Sequence, residues 1–237
     1  MALPKLNALP QFEVVIPSSK KLVKYRPFLV KEQKVLLMAL ETRDQRAIYN
    51  AMVNVITACV EDNTSLSNLT TYDVEYMFLM IRSKSVGETI QLKMGCSEDH
   101  CDVQTPANIV IDDIDIPNVE STTTIIELEP GISIELEHPS IIRVQETTTN
   151  SKDVTEGTLA LMKAAIKNVL TEEERIVFKD ESVKEQDEFI ENLKTTQLDQ
   201  IYKFVRSIPA MEYDLEWTCD GCGNNNQRKL RGLADFF

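Results

Sequence analysis

The chain has 237 residues, 43% of them apolar, which is enough to bury a core as one large domain or two small ones. Its 38 acidic residues against 25 Lys and Arg leave a formal charge of -13, which counts against a nucleic-acid surface because affinity for phosphate comes from clustered Lys and Arg releasing counterions. No apolar run approaches the roughly 20 residues needed to cross a bilayer, and Met1-Ala2-Leu3-Pro4-Lys5 lacks the charged-then-apolar order of a secretory signal, so a cytosolic chain without membrane contact is expected.

Phe12, Val14 and Ile16 alternate, Pro17-Ser18-Ser19-Lys20 supplies a turn, and Leu22 and Val23 lead to Tyr25-Arg26-Pro27-Phe28, which together predict a β-hairpin. From Val30 the pattern is helical, with Lys31-Glu32-Gln33-Lys34 opening a solvated face and Leu36, Leu37 and Leu40 facing inward. A second helix carries Ile48, Ala51, Met52, Val55, Ile56 and Cys59, and the two are expected to pack as a hairpin. Cys59 falls in line with Ile48, Met52 and Val55, the place of a small core residue rather than a ligand. A third helix starts after Thr70-Thr71 and runs through Val74, Met77, Phe78 and Ile81 to Arg82 and Lys84, with Gly87 as its stop.

The middle of the chain is β-rich. Beyond the first cysteine pair, strands are expected at Thr123 to Leu128 and Ile132 to Leu136, joined by Glu129-Pro130-Gly131. The alternation Ile111-Asp112-Asp113-Ile114-Asp115-Ile116-Pro117 reads as a solvated strand face; as a cation loop it lacks the Gly and the distal Glu of an EF-hand. Thr147 to Lys152 is the most polar connector and is expected to be a mobile loop. The last third is helical again: Leu159, Met162, Ala165, Ile166 and Val169 share one face, followed by Phe189, Ile190 and Leu193, then by Leu198, Ile201, Tyr202 and Val205. Thr195-Thr196-Gln197 starts the last of these helices and Pro209 ends it. The expected fold class is α+β, with segments 1–88, 89–150, 151–210 and 211–237 folded as one compact domain: helical N- and C-terminal parts around a β-rich middle, closed by a discontinuous element like a zinc ribbon.

That element rests on two cysteine pairs, Cys96/Cys101 and Cys219/Cys222, each set between runs of alternating apolar residues. Four thiolates complete a tetrahedral zinc and leave no coordination position for substrate, so the expected cofactor is one structural zinc per chain held by Cys96, Cys101, Cys219 and Cys222. Gly221 and Gly223 flank Cys222 and let backbone amides turn in toward sulfur. A redox dithiol is the other use of Cys-x-x-Cys, but Cys219-Asp220-Gly221-Cys222 follows a strand instead of opening a helix, where thiol pKa values fall. Unpaired thiols are the third reading, and His100, next to Cys101, could replace a cysteine ligand but is read as a bystander. The basic stretch Arg228, Lys229 and Arg231 beyond the second knuckle reads as a solvated strand face.

His100 and His138 are the only histidines, and neither has a nucleophile and an orienting acid that the sequence can place beside it. Ser83-Lys84-Ser85-Val86-Gly87-Glu88 has a single Gly and lacks the amide cradle of a phosphate loop. A non-enzymatic interaction protein is expected, without a small-molecule substrate.

The stretch from Tyr25-Arg26-Pro27-Phe28 through Lys31-Glu32-Gln33-Lys34 to Ala39 resembles the opening of a family of baseplate hub proteins from contractile-tailed phages of the T-even type. Arg82-Ser83-Lys84-Ser85-Val86-Gly87-Glu88 and the closing Phe236-Phe237 resemble it too. The resemblance implies a tail protein acting in the virion baseplate or in the host cytoplasm during assembly. That family includes a hub subunit and a factor that helps the hub assemble, with other hub, wedge or tail proteins as partners. Arg26, Phe28, Arg82, Lys84, Phe236 and Phe237 are the candidate interface residues. For Arg26 an internal acid is the competing partner, and for the two Phe residues the competing location is the chain's own core. The rival function is a zinc-ribbon phage regulator or nucleic-acid adaptor.

Overall fold

The computed structural model describes residues 9–61, 68–116, 119, 123–149, 151 and 153–236. Helices and antiparallel sheets occupy separate stretches of the chain, as in an α+β protein. The chain forms two compact units, one from Met1–Leu66, Tyr72–Pro117 and Ala210–Phe237, the other from Ser67–Thr71 and Asn118–Pro209.

The first unit opens with the expected hairpin, β1 (Phe12–Val15) against β2 (Leu22–Tyr25). Period-two alternation sends Val14, Ile16, Val23 and Tyr25 into the core. The turn is fixed from outside, because the amide and the hydroxyl of Ser18 donate to the buried Asp73 carboxylate at 2.9 and 2.6 Å. Three helices follow: α1 (Val30–Thr42), α2 (Gln45–Cys59) and α3 (Thr71–Ser85). Arg43, in the left-handed region at φ 55, turns α1 into α2, and the Asp44 carboxylate caps α2 by accepting from the Arg46 amide at 3.0 Å. α3 stops two residues before Gly87, whose φ of 149 favours glycine. Cys59 is buried, and burial pushes its thiol up to about 11.

Two expectations for α1 fail. Leu36 is buried, but Leu37 and Leu40 are 53% and 48% exposed, so this helix meets the core along a narrow strip. Glu32 is not on a solvated face; it is buried, its Oε2 accepting from the Leu29 amide at 2.8 Å and its Oε1 from Arg26 Nη2 at 2.9 Å. An Arg six residues upstream converts an exposed-looking Glu into half of a capping box.

Two further hairpins complete the unit, β3 (Thr89–Gly95) with β4 (Gln104–Val110) and β9 (Glu212–Thr218) with β10 (Asn225–Arg231). The acidic alternation after β4 is not a strand. Ile111–Asp113 forms a single 3-10 turn, and Asp115 exchanges backbone hydrogen bonds of 3.1 and 2.8 Å with Glu212. Ile111 and Ile114 are three apart, the repeat of that helix, so both are buried while Asp112, Asp113 and Asp115 face outward.

The C-terminal 3-10 turn (Leu233–Phe236) buries Phe236 completely. The Leu233 amide donates to the buried Glu75 carboxylate of α3, and Tyr49 Oη of α2 donates to Glu75 Oε1 at 2.6 Å. Burial raises the Glu75 pKa, so folding favours its protonated form and its contribution to stability falls as pH rises from the unfolded value through the folded one. Tyr49→Phe removes one of these two donors and is expected to cost about 2 kcal/mol in chemical denaturation. An unchanged denaturation midpoint would show that the bond adds nothing.

The second unit is a four-stranded antiparallel sheet ordered β5 (Thr123–Glu129), β6 (Ile132–Glu137), β7 (Ile166–Leu170), β8 (Arg175–Val177), with α4 (Ile141–Thr148), α5 (Val154–Ala165), α6 (Val183–Glu191) and α7 (Thr195–Ser207). The β5–β6 turn places Gly131 at φ 80, as the Pro130-Gly131 chemistry predicts. Ile134, Leu136, Ile166 and Val169 of the sheet pack with Met162, Ile190, Ile201 and Val205 of the helices. The helix expected across Ile166 to Val169 ends at Ala165. The spacing of Met162, Ala165, Ile166 and Val169 mimics a helical stripe, but β7 is an inner strand that pairs with both β6 and β8, and sheet pairing overrides the local period. Thr147 and Thr148 close α4 instead of forming a loop, their hydroxyls donating back to the Arg143 and Val144 carbonyls at 2.9 and 2.7 Å. Asn150 and Lys152 of that expected loop lie outside the described residues.

Candidate metal centre

Both cysteine pairs sit at the tips of hairpins whose register fixes them. β3 and β4 pair up to Gly95 and Gln104, leaving Cys96 to Val103 as the first knuckle; β9 and β10 pair up to Thr218 and Asn225, leaving Cys219 to Asn224 as the second. The four sulfurs lie within 4.8 Å of one another. Cys96 Sγ is 3.5 Å from Cys222 Sγ and Cys101 Sγ is 3.6 Å from Cys219 Sγ. A zinc–sulfur bond of about 2.3 Å implies tetrahedron edges of about 3.8 Å, so the thiols stand at the spacing of a tetrahedral thiolate site. All four are free thiols. His100 is exposed and outside this group.

Backbone amides are already turned toward the sulfurs. Gly221 N lies 3.4 Å from Cys219 Sγ, and the Cys222 amide donates to the same sulfur. The Val103 amide donates to Cys101 and the Asn224 amide to Cys222, so three of the four sulfurs receive an N–H from the residue two positions on. Hydrogen bonds of this kind favour the thiolate. At Cys219 the amides of Cys222 and Gly221 bring the pKa down to about 6. At Cys222 the Asn224 amide pulls downward, but the Cys96 thiol, burial and the other two cysteines raise the net value to about 12. At Cys101 the Val103 amide is likewise outweighed, by Cys219 first, and the thiol is raised. Sulfurs this close cannot all carry charge unless a cation sits among them, and a soft divalent ion is what the donor set fits.

A second set of contacts locks one knuckle to the other. Asn226 Oδ1, buried at the inward register of β10, accepts from Ser97 N at 2.9 Å and from Ser97 Oγ at 2.7 Å, while its Nδ2 donates to the Asn224 carbonyl at 2.9 Å. Asp220 N donates to Thr105 Oγ1 at 3.0 Å. Such outer contacts orient ligands. Sequence reading passed over Asn226, Ser97 and Thr105, because Asn224-Asn225-Asn226-Gln227 looks like uniform polar turn; only the register that turns Asn226 inward distinguishes it.

Gly221 is the tightest point of the pair. A Cβ built there would stand 2.5 Å from Val103 Cγ2 and 3.0 Å from Val103 Cβ. Gly221→Ala is therefore expected to cost about 2 kcal/mol. Val103→Gly in the same chain should recover most of that loss, and a thermal-denaturation double-mutant cycle reads the coupling. Additive effects would mean that the two knuckles do not press on each other.

Arg26 lies on Glu32 and also donates to the Ala58 carbonyl at 2.8 Å, so its partners are internal. Phe28 N donates to Ser85 Oγ at 2.9 Å. Arg82 Nη1 reaches the Gly87 carbonyl at 3.4 Å, and Lys84 is bonded to Glu88 and stands over the Phe12 ring at 5.9 Å. Phe237 lies outside the described residues. Arg228 bonds Asp235 at 3.5 Å, while Lys229 and Arg231 bond Glu212 at 2.7 and 3.5 Å.

Two hairpins of one unit, residues 89–110 and 212–231, bring four thiols together. The chain belongs to the family of the T4 bacteriophage base plate protein, whose profile matches residues 9–237. No curated protein and no solved structure matches it. The resemblance drawn from Tyr25 to Ala39, from Arg82 to Glu88 and from the closing residues therefore holds at the level of the phage baseplate. Among the described residues, no helix is long and apolar enough to cross a membrane.

Proposed function

We propose that this chain is a non-enzymatic component or assembly factor of the baseplate hub, working through contacts with other tail proteins, and that Cys96, Cys101, Cys219 and Cys222 hold one structural zinc. Membership of the baseplate family, over residues 9–237, carries the first statement. The closed set of four thiols with inward amides supports the second. When bound, zinc supplies a clamp between the two hairpins. The place of action is the virion tail or the host cytoplasm during assembly.

The regulator or nucleic-acid reading is weaker. The cations of β10 are bonded to Glu212 and Asp235, which leaves them little to offer a phosphate backbone. Deleting the gene and complementing it in trans tests the hub reading. Baseplates lacking a hub, seen by electron microscopy, are the expected result, and complete baseplates would refute it. Mass spectrometry of purified virions then separates a resident subunit from a factor that leaves.

The segment from Arg82 to Glu88 is read as a contact surface, its two cations held in place by Glu88 and the Gly87 carbonyl. Arg82→Glu with Lys84→Glu should lower complementing titre about tenfold or more, the loss expected when charge complementarity is reversed. Normal assembly with normal melting would remove this segment from the interface.

A further inference from the structure

The sulfur contacts of 3.5 and 3.6 Å each join one hairpin to the other, Cys96 to Cys222 and Cys101 to Cys219. Their members are 126 and 118 residues apart in sequence. A disulfide holds its sulfurs about 2.05 Å apart, so each pair needs to close by about 1.5 Å, an adjustment of side-chain torsions.

The contacts that hold each pair face to face belong to the protein itself. Across the hairpins, Asn226 Oδ1 accepts from Ser97 N and Oγ, and Asp220 N donates to Thr105 Oγ1. Within the first knuckle the Cys101 amide donates to the Glu98 carbonyl at 3.0 Å. Within the second, the Cys219 amide donates to the Asn224 carbonyl at 2.8 Å and the Gly223 amide to the Cys219 carbonyl at 2.9 Å. The long separation in sequence is therefore already closed by β register and hydrogen bonds before any sulfur reacts. A Cys219–Cys222 bond is the competing product. It would have to form inside a short turn whose shape those bonds already set, and it would leave the hairpins unjoined.

Access favours reaction from the outer pair. Cys222 is exposed and Cys96 half-buried, whereas Cys219 of the other pair is buried. Cys59, the fifth cysteine, is buried on α2 and outside the group of four.

We propose that Cys96–Cys222 and Cys101–Cys219 become two disulfides when the chain meets a low-molecular-weight disulfide oxidant, so that the joint between the hairpins passes from metal-held to covalent. The inference rests on the zinc reading for the state that is replaced, but not for the pairing. In each pair one sulfur attacks the oxidant, forming a mixed disulfide and expelling one small thiol; the partner sulfur then displaces the second. Two electrons pass from each pair to one oxidant molecule, which leaves as two thiols. The protons come from the cysteines where they are thiols and from solvent where they are thiolates, and a bound ion leaves with its ligands consumed. On the baseplate reading, a chain made in a reducing cytoplasm and carried out with the particle meets oxidising surroundings, where disulfides persist.

The test treats the purified full chain with glutathione disulfide at neutral pH, alkylates the remaining thiols after unfolding and digests without reduction. Asp-N protease cuts before Asp99 and Asp220 and so separates all four cysteines. The expected peptides join Cys96 to Cys222 and Cys101 to Cys219, with Cys59 alkylated, and a chelator should no longer lower the melting temperature of the oxidised chain. Pairing within a knuckle, crossed pairing of Cys96 with Cys219, retained glutathione or five alkylated cysteines overturns the proposal. Zinc measured before and after oxidation keeps the two readings apart. Cross-hairpin disulfides in a chain that carried no zinc would sink the metal alone; zinc released while the sulfurs pair within each knuckle would sink the pairing alone.

Discussion

Replacing Cys219 and Cys222 together by Ser is expected to remove about one zinc per chain and to lower stability by about 4 kcal/mol or more, the range reserved for loss of a metal or a comparable cross-link. For a chain of this size that is a fall in melting temperature of roughly 8–16 °C. The reason is geometric: the second knuckle meets the first through the thiol group, Asn226 and Thr105, and without the ion the raised thiols Cys101 and Cys222 sit protonated beside Cys219. Zinc loading of the stripped chain at neutral pH should accordingly release about two protons or more, because ligands must ionise to bind. Acidification should reverse the loading, since protons then compete for the same sulfurs. Metal content by mass spectrometry beside a melt decides the matter. Absence of zinc with an unchanged melt would reduce the four cysteines to ordinary side chains and leave the baseplate family as the whole basis for function.

What could be read from residues alone followed from how local each signal is. The opening hairpin, the α1–α2 pair, the end of α3 before Gly87, the Pro130-Gly131 turn and the break before Leu198 depend on neighbours within a turn or two, and they stand where alternation and caps put them. The cysteine cluster was legible because two knuckles with metal spacing need each other. The failures are long-range. β7 was hidden because its apolar spacing suits a helix and only pairing on both edges makes it a strand. Glu32 looked solvated because its partner, Arg26, is set by a loop conformation that no periodicity records. The exposure of Leu37 and Leu40 had no sequence signal, since an apolar stripe left at the surface and one buried in a core read alike.

Arg26→Met is expected to destabilise the first unit by about 2 kcal/mol, the worth of a hydrogen bond to a buried charge, with Lys31 left as a second cation 3.4 Å from Glu32 Oε1. The Glu32 side chain is only 7% exposed, and Arg26 supplies its 2.9 Å bond while also holding the Ala58 carbonyl at 2.8 Å. Burial alone would raise the Glu32 pKa, but the bonds from Arg26 and the Leu29 amide outweigh it and the folded value lies below the ordinary 4.5. A lowered carboxyl pKa gives stability that is fully present above 4.5 and is lost as pH falls through the folded value. Without Arg26 only the Leu29 amide and Lys31, 3.4 Å from Glu32 Oε1, still oppose burial, so the lowering of the Glu32 pKa shrinks. The stability gap between the natural chain and Arg26→Met should therefore be widest at neutral pH and narrow on acidification. Glu32→Gln in the Arg26→Met background should recover part of the loss, because the buried charge is gone. Denaturation midpoints measured from neutral to acidic pH test all three statements. If Arg26 instead served a partner across an interface, its removal would leave the melt and its pH dependence intact and would be felt only in baseplate assembly, so this single residue distinguishes a strut of the α1 wall from a contact made by it.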